Sequence, residues 1–215
     1  PDPLISLLKA SLPKGKLEPM LMADNTAPQT TVQTNLCAVT TAQLMTSLEE
    51  EGVSAQPHGW MPDCLILSGT GNLERLTAFQ KGWFYVQDPA SKLSVHCAGL
   101  EPGWRVLDCC AAPGGKSFAA AIAMAGTGSI TSCDVHPHKA ELIARGAQRL
   151  NLHNITALCQ DATRSRPDWT EVYDAVIVDA PCSGEGMFRK DEAVISTWSL
   201  ERTEWFAGQQ REITG

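Results

Sequence analysis

Trp104-Arg105-Val106-Leu107-Asp108-Cys109-Cys110-Ala111-Ala112-Pro113-Gly114-Gly115-Lys116 is the stretch that decides the fold. Residues 104–108 read as a strand, and residues 116–125 read as an Ala-rich helix closed by Gly126. Between them a loop of small residues brings bare backbone N–H groups to a helix N-terminus, where a ligand can approach without meeting a Cβ. A nucleoside cofactor suits such a loop.

The pattern repeats downstream. Ser129–Asp134 reads as a second strand, followed by a helix that starts near Pro137, ends at Asn151 and puts Leu142, Ile143, Ala147 and Leu150 on one face. Asn154–Cys159 makes a third strand. Asp174–Asp179 makes a fourth, apolar enough to be central and covered on both faces. A final amphipathic run from Leu200 to Ile213 reads as the closing helix. Strands alternating with helices predict a parallel sheet.

Asp134 falls 19 residues after Gly115, at a strand end where a carboxylate accepts ribose hydroxyls. Asp161 follows the third strand and can face an adenine amino group, and Asp179 ends the fourth. Ligands of open α/β sheets collect at this carboxyl edge. Taken singly, each feature has a plainer role: the glycine pair as a turn, Asp134 as a helix cap, Asp161 as turn chemistry and Cys182 as a small buried residue. Their order and spacing favour the site.

The first hundred residues differ. A helix is expected at residues 4–11, a linker at residues 22–29, a strand from Thr30 to Leu36, a helix capped by Thr41 and carrying Leu44, Met45 and Leu48, and strands at Cys64–Leu67 and Trp83–Val86. The expected organisation is a helical lead-in over 1–21, a small α+β subdomain over 22–88, and a Rossmann-like domain over 89–215.

Composition narrows the class. With 215 residues, 43% hydrophobic and 19% charged, the chain reads as an ordinary globular protein without a membrane span or signal peptide. Its net charge of −7 argues against a protein that coats nucleic acid through bulk electrostatics, though not against a local basic groove. The eight cysteines contain no Cys-x-x-Cys pair and no His at zinc spacing, so no metal site is expected and the thiols read as reduced, in a cytoplasmic and monomeric protein. The start at Pro1 and the stop at Gly215 read as an excised fragment.

Residues 104–190, with Cys110 through Lys116, Asp134, Asp161 and the loop Asp179-Ala180-Pro181-Cys182-Ser183-Gly184, resemble the core of the RNA cytosine-C5 methyltransferase family, the Sun/Fmu type that modifies bacterial 16S ribosomal RNA. The lead-in Gly82–Ser91 is similar as well, and residues 20–80 resemble the family's small RNA-binding subdomain more loosely. The resemblance implies a Rossmann-like S-adenosylmethionine-dependent sheet in which Cys110, Ala111, Ala112, Pro113, Gly114, Gly115, Lys116, Asp134, Asp161 and Asp179 line the cofactor site.

It also implies methyl transfer to carbon 5 of a cytosine in ribosomal RNA. That carbon is a poor nucleophile until a thiolate adds at carbon 6, so the chemistry wants a cysteine. In the family the nucleophile lies in a Thr-Cys segment downstream, and the Pro-Cys thiol, matched by Cys182, helps product release. No cysteine follows Cys182 here, and the family's last strands are absent too, which fits a fragment; attack by Cys182 itself is the other route. Phe188, Arg189 and Lys190 offer a stacking and phosphate contact to RNA, or else form a solvated loop. A tRNA-directed enzyme and a noncatalytic RNA- or cofactor-binding module remain the alternatives.

Overall fold

The computed structural model describes residues 2–215, which pack as two units. Thr30–Asp179 forms one, and the segment up to Gln29 together with Ala180–Gly215 forms the other.

In chain order the elements are α1 (Asp2–Ser11), α2 (Leu17–Asp24), β1 (Thr30–Thr34), α3 (Thr41–Glu50), β2 (Ser54–His58), β3 (Met61–Ser68), α4 (Thr77–Gln80), β4 (Phe84–Val86), α5 (Pro89–Cys97), β5 (Arg105–Asp108), α6 (Gly115–Ala123), β6 (Ser129–Asp134), α7 (Pro137–Arg149), β7 (Ile155–Cys159), β8 (Ala175–Ile177), α8 (Glu192–Thr197) and α9 (Leu200–Thr214). Two sheets organise the larger unit. β2-β3-β1-β4 is antiparallel, and β7-β6-β5-β8 is parallel throughout.

The antiparallel sheet packs on α3 through Val32, Leu44, Leu48, Leu65 and Phe84. Its helix starts at a capping box: Thr40 accepts from the Gln43 N–H while the Gln43 side chain accepts from the Thr40 N–H. The cap is therefore Thr40 and not Thr41, because Gln43 sits three residues after the former. The expected linker at 22–29 is shortened by α2, which runs to Asp24.

Under the parallel sheet, α6 and α7 bury Phe118, Ile143, Ala147 and Leu150. The Phe118 ring fits because Gly114 and Gly146 both lie against it, where a Cβ at either position would collide with it. Leu142, expected on that face, is 44% exposed. The fourth strand also departs from expectation: β8 is an edge strand, and Val176 and Val178 are exposed. An uninterrupted apolar run signals a central strand only where further pairing covers it, and among the described residues β8 pairs on one side alone.

Two polar groups, the buried Asn35 and the half-buried Arg149, tie the antiparallel sheet to the parallel layer. The Asn35 amide donates to the carbonyls of Gly82 and Leu150 at 2.9 and 2.8 Å. Arg149, at the end of α7, lies 3.8 Å over the Phe79 ring and donates to the carbonyls of Phe79 and Phe84. Both links satisfy backbone acceptors that would otherwise be left inside the junction.

The smaller unit is helical. Leu4, Phe188 and Trp198 form its buried cluster, and the Trp198 indole N–H donates to the Glu185 carboxylate at 2.8 Å. Burial works against ionised Glu185, but the bonds from Ser183 and Trp198 outweigh it and hold the carboxyl below its usual range.

Candidate cofactor site

The chain leaves β5 at Asp108 and enters α6 at Gly115 through a tight loop. Ala111 N–H donates to the Cys133 carbonyl of β6, and Gly114 N–H donates back to the Ala111 carbonyl. Gly114 occupies the N-cap at φ +112, a conformation that L side chains rarely adopt, and no side chain caps the helix. The first-turn N–H groups of α6 are thus presented at a positive helix end, with Lys116 adding a full charge.

Lys116 Nζ pairs with Asp179 Oδ2 at 2.6 Å and donates to Ser91 Oγ at 3.1 Å. Together with Cys110, Ala111, Ala112, Pro113 and Gly115, these residues line a cavity of about 140 Å3 completed by Val86 and Gln87. Six of the seven residues of the predicted loop and one of the three predicted acids therefore meet in one place. Gly114 shapes that loop from beneath.

Asp134 and Asp161 lie outside the cavity, farther along the same sheet edge. Asp134 ends β6, is 8% exposed, and its Oδ1 accepts from the His136 N–H, which leaves Oδ2 for another donor. Asp161 follows β7; its Oδ1 accepts from the Thr163 N–H and hydroxyl, and Arg164 pairs with Oδ2 at 3.3 Å. Those Thr163 bonds, with Arg164 beside them, hold its carboxyl below the usual range. The turn role open to Asp161 is thus real, whereas Asp134 is not the cap of α7, whose N-cap is His136 without a side-chain cap bond.

Phe188 is placed in the interior of the smaller unit, at 8% exposure against Leu4 and Trp198, so its ring packs mainly as core and only its remaining edge lines the cavity beside Arg189 and Lys190. The apolar ring after a glycine-rich loop suggested stacking; its burial partners came from α1 and from Trp198, too distant in sequence to be foreseen. Arg189 and Lys190 are exposed beside a cavity of about 600 Å3 that also takes in Asp24, Asn25 and Glu192. Cys182 is exposed in that unit, and none of the eight cysteines is paired.

Sequence reasoning missed Gln87, Ser91 and Asp108. The strand-end rule that picked out Asp134 and Asp179 applies equally to Asp108, which lies fully buried under the loop, bonded to Ser117 Oγ at 2.7 Å. Gln87 and Ser91 carried a weaker signal, polar residues just after a short strand and before the Asp88-Pro89 helix start. No group of three or more His, Cys, Asp or Glu side chains that could hold a metal ion occurs among the described residues.

Residues 98–213, more than half of the chain, match the family described as 16S rRNA methyltransferase RsmB/F. The chain belongs to the RsmB/F methyltransferase family. Residues 1–74 match the ferredoxin-like domain of RsmF/B-like methyltransferases. Among relatives, the probable ribosomal RNA small subunit methyltransferase B of Bacillus subtilis is 36% identical over 165 residues, covering 76% of this chain and 36% of that protein. Ribosomal RNA small subunit methyltransferase B of Vibrio cholerae is 30% identical over 214 residues, covering 99% and 49%. The chain thus spans half or less of the length of these RsmB/F relatives. The crystal structure of PH0851 superposes with a TM-score of 0.93 at 27% identity, over 100% of this chain and 48% of that one. NSun6 from Pyrococcus horikoshii with SFG shares the fold, at a TM-score of 0.83 and 16% identity, over 100% and 78%. S-adenosylmethionine is the cofactor of the RsmB/F family.

Proposed function

We propose that these residues form the cofactor-binding and base-handling part of an enzyme that methylates carbon 5 of a cytosine in 16S ribosomal RNA, in the cytoplasm, through a covalent cysteine adduct. The observation that carries the reading is the cavity at the α6 N-terminus, where Lys116 and Asp179 place a cation and an anion side by side.

The residues fit S-adenosylmethionine. Its amino-acid end carries both charges, so the Lys116 ammonium and first-turn N–H groups suit the carboxylate while Asp179 suits the ammonium. Four neighbouring strand ends span about 14 Å at ~4.8 Å per strand, room for an extended nucleoside laid across them. Asp134 Oδ2 then takes ribose hydroxyls, and Asp161 lies toward the adenine. When bound, the sulfonium supplies an activated methyl group.

The chain's own contribution is placement. Cys110–Lys116 and Asp179 fix the amino-acid end, and Cys182 holds the thiol assigned to product release. Arg189 and Lys190 meet RNA phosphate; Phe188 supports that loop from the core.

The test is methyl transfer from labelled cofactor to 16S ribosomal RNA, followed by nucleoside digestion. No Thr-Cys pair follows Cys182 in these 215 residues, so label is expected in 5-methylcytidine once such a segment is joined downstream, and none without it. Turnover by the 215 residues alone that disappears in Cys182→Ser would make Cys182 the nucleophile and overturn its assigned role; label in any other nucleoside would overturn the proposal.

A further inference from the structure

One wall of the cavity comes from outside the parallel sheet. Gln87 follows β4 of the antiparallel sheet, and its main chain is held three ways. Its N–H donates to the Thr31 carbonyl at 3.3 Å, and its carbonyl accepts from Thr31 Oγ1 and Gln33 Nε2, both at 3.1 Å. Gln33 is fully buried.

The side-chain amide is different. It lines the cavity beside Lys116 and Asp179, and its Oε1 is enclosed with no hydrogen-bond partner among the described residues. It rests on the bare Cα of Gly115, where a Cβ would come within 2.8 Å of Nε2. Buried polar groups are nearly always bonded, so an amide fixed by its backbone yet left unpaired in a ligand cavity points to a ligand partner. The cavity's size says which part: at about 140 Å3 it is smaller than the ~300–1,000 Å3 that encloses a whole drug-sized ligand. It takes one end of the cofactor. With charges of both signs already lining it, that end is the zwitterionic one.

We infer that Gln87 is a cofactor-contact residue whose amide hydrogen-bonds the amino-acid end of S-adenosylmethionine, with Thr31 and Gln33 as the positioning residues that hold it there. The inference rests on the proposed cofactor reading of this cavity. Its consequence is that the antiparallel sheet completes the methyl-donor pocket, so the parallel sheet alone holds only part of it.

The experiment is calorimetric titration of the 215-residue chain, Gln87→Met and Gln33→Met with S-adenosylhomocysteine and with 5′-methylthioadenosine, which lacks the amino-acid end. Gln87→Met is expected to weaken S-adenosylhomocysteine about 10- to 100-fold, the range for a hydrogen bond to a charged group, and to leave 5′-methylthioadenosine unchanged. Gln33→Met is expected to lower the same ligand selectivity by a smaller factor. The ligand-free thermal unfolding midpoint of Gln87→Met should stay at the parent value. Equal weakening of both ligands, or of neither, overturns the assignment. Failure of the parent chain to bind either ligand is a separate result, which overturns the cofactor reading itself.

Discussion

Asp108 should make the protein less stable as the pH rises, and replacing it with Asn should remove that dependence. The carboxyl is fully buried, Ser117 Oγ donates to Oδ2 at 2.7 Å, Ser132 Oγ donates to Ser117 Oγ at 2.7 Å, and Oδ1 has no hydrogen-bond partner among the described residues. Burial pushes its pKa up to about 6; Asp179 adds to the rise, while Ser117 and Lys116 oppose it. In the unfolded chain an Asp titrates near ~3.9. The folded state therefore holds the proton more tightly. Its contribution is greatest in acid and is lost progressively from about pH 4 to about pH 6. A shift of roughly two units corresponds to about 3 kcal/mol in all, of which about 2 kcal/mol falls between pH ~4.5 and ~7.5. Asn keeps an acceptor for Ser117 and does not titrate. Urea unfolding followed by tryptophan fluorescence at both pH values gives the comparison. The stability of Asp108→Asn relative to the parent should rise by about 2 kcal/mol from the lower pH to the higher. A difference that does not change with pH, or that changes in the opposite direction, refutes the burial argument.

Other outcomes follow from the same contacts. Gly82→Ala should lower stability by more than about 2 kcal/mol in urea unfolding, because Gly82 sits at φ +70 and a Cβ would run into the Arg149 carbonyl. Gly115→Ala starts a helix with a better helix former and meets only the side-chain amide of Gln87, pushing it from its place, so the urea midpoint should hold while cofactor affinity by calorimetry falls several-fold. Iodoacetamide near neutral pH, with sites mapped by mass spectrometry, should label exposed Cys182 well before Cys109, Cys110 and Cys133, whose thiols burial pushes up to about 11, 11 and 12.

The parallel sheet was legible because short strands alternate with helices or turns, and the first two, β5 and β6, end at Asp108 and Asp134. Strand β2, Ser54-Ala55-Gln56-Pro57-His58, was not: it carries one buried residue, Ala55, and a proline, and it exists because β3 pairs with it. Helix α2 has almost no amphipathic pattern and none of its residues is buried, so periodicity could not reveal it. The loop and Asp179 were read correctly as neighbours because parallel strands bring successive carboxyl ends to one edge. Gln87 was not, because its place beside Gly115 depends on how the antiparallel sheet meets α6, a tertiary packing that no local spacing encodes. For Phe188, a local reading of an aromatic beside two cations did not foresee the core that α1 and Trp198 supply.

The central claim is that the carboxyl edge of β5, β6 and β8 is a methyl-donor site. Calorimetric titration of the chain with S-adenosylmethionine, beside Asp134→Asn, tests it most directly, since Asn keeps the acceptor for the His136 N–H and loses the second carboxylate oxygen. Micromolar binding that weakens about 10- to 100-fold in the variant is the expected result. Binding that Asp134→Asn leaves untouched, or no binding by a chain that unfolds cooperatively, would contradict it.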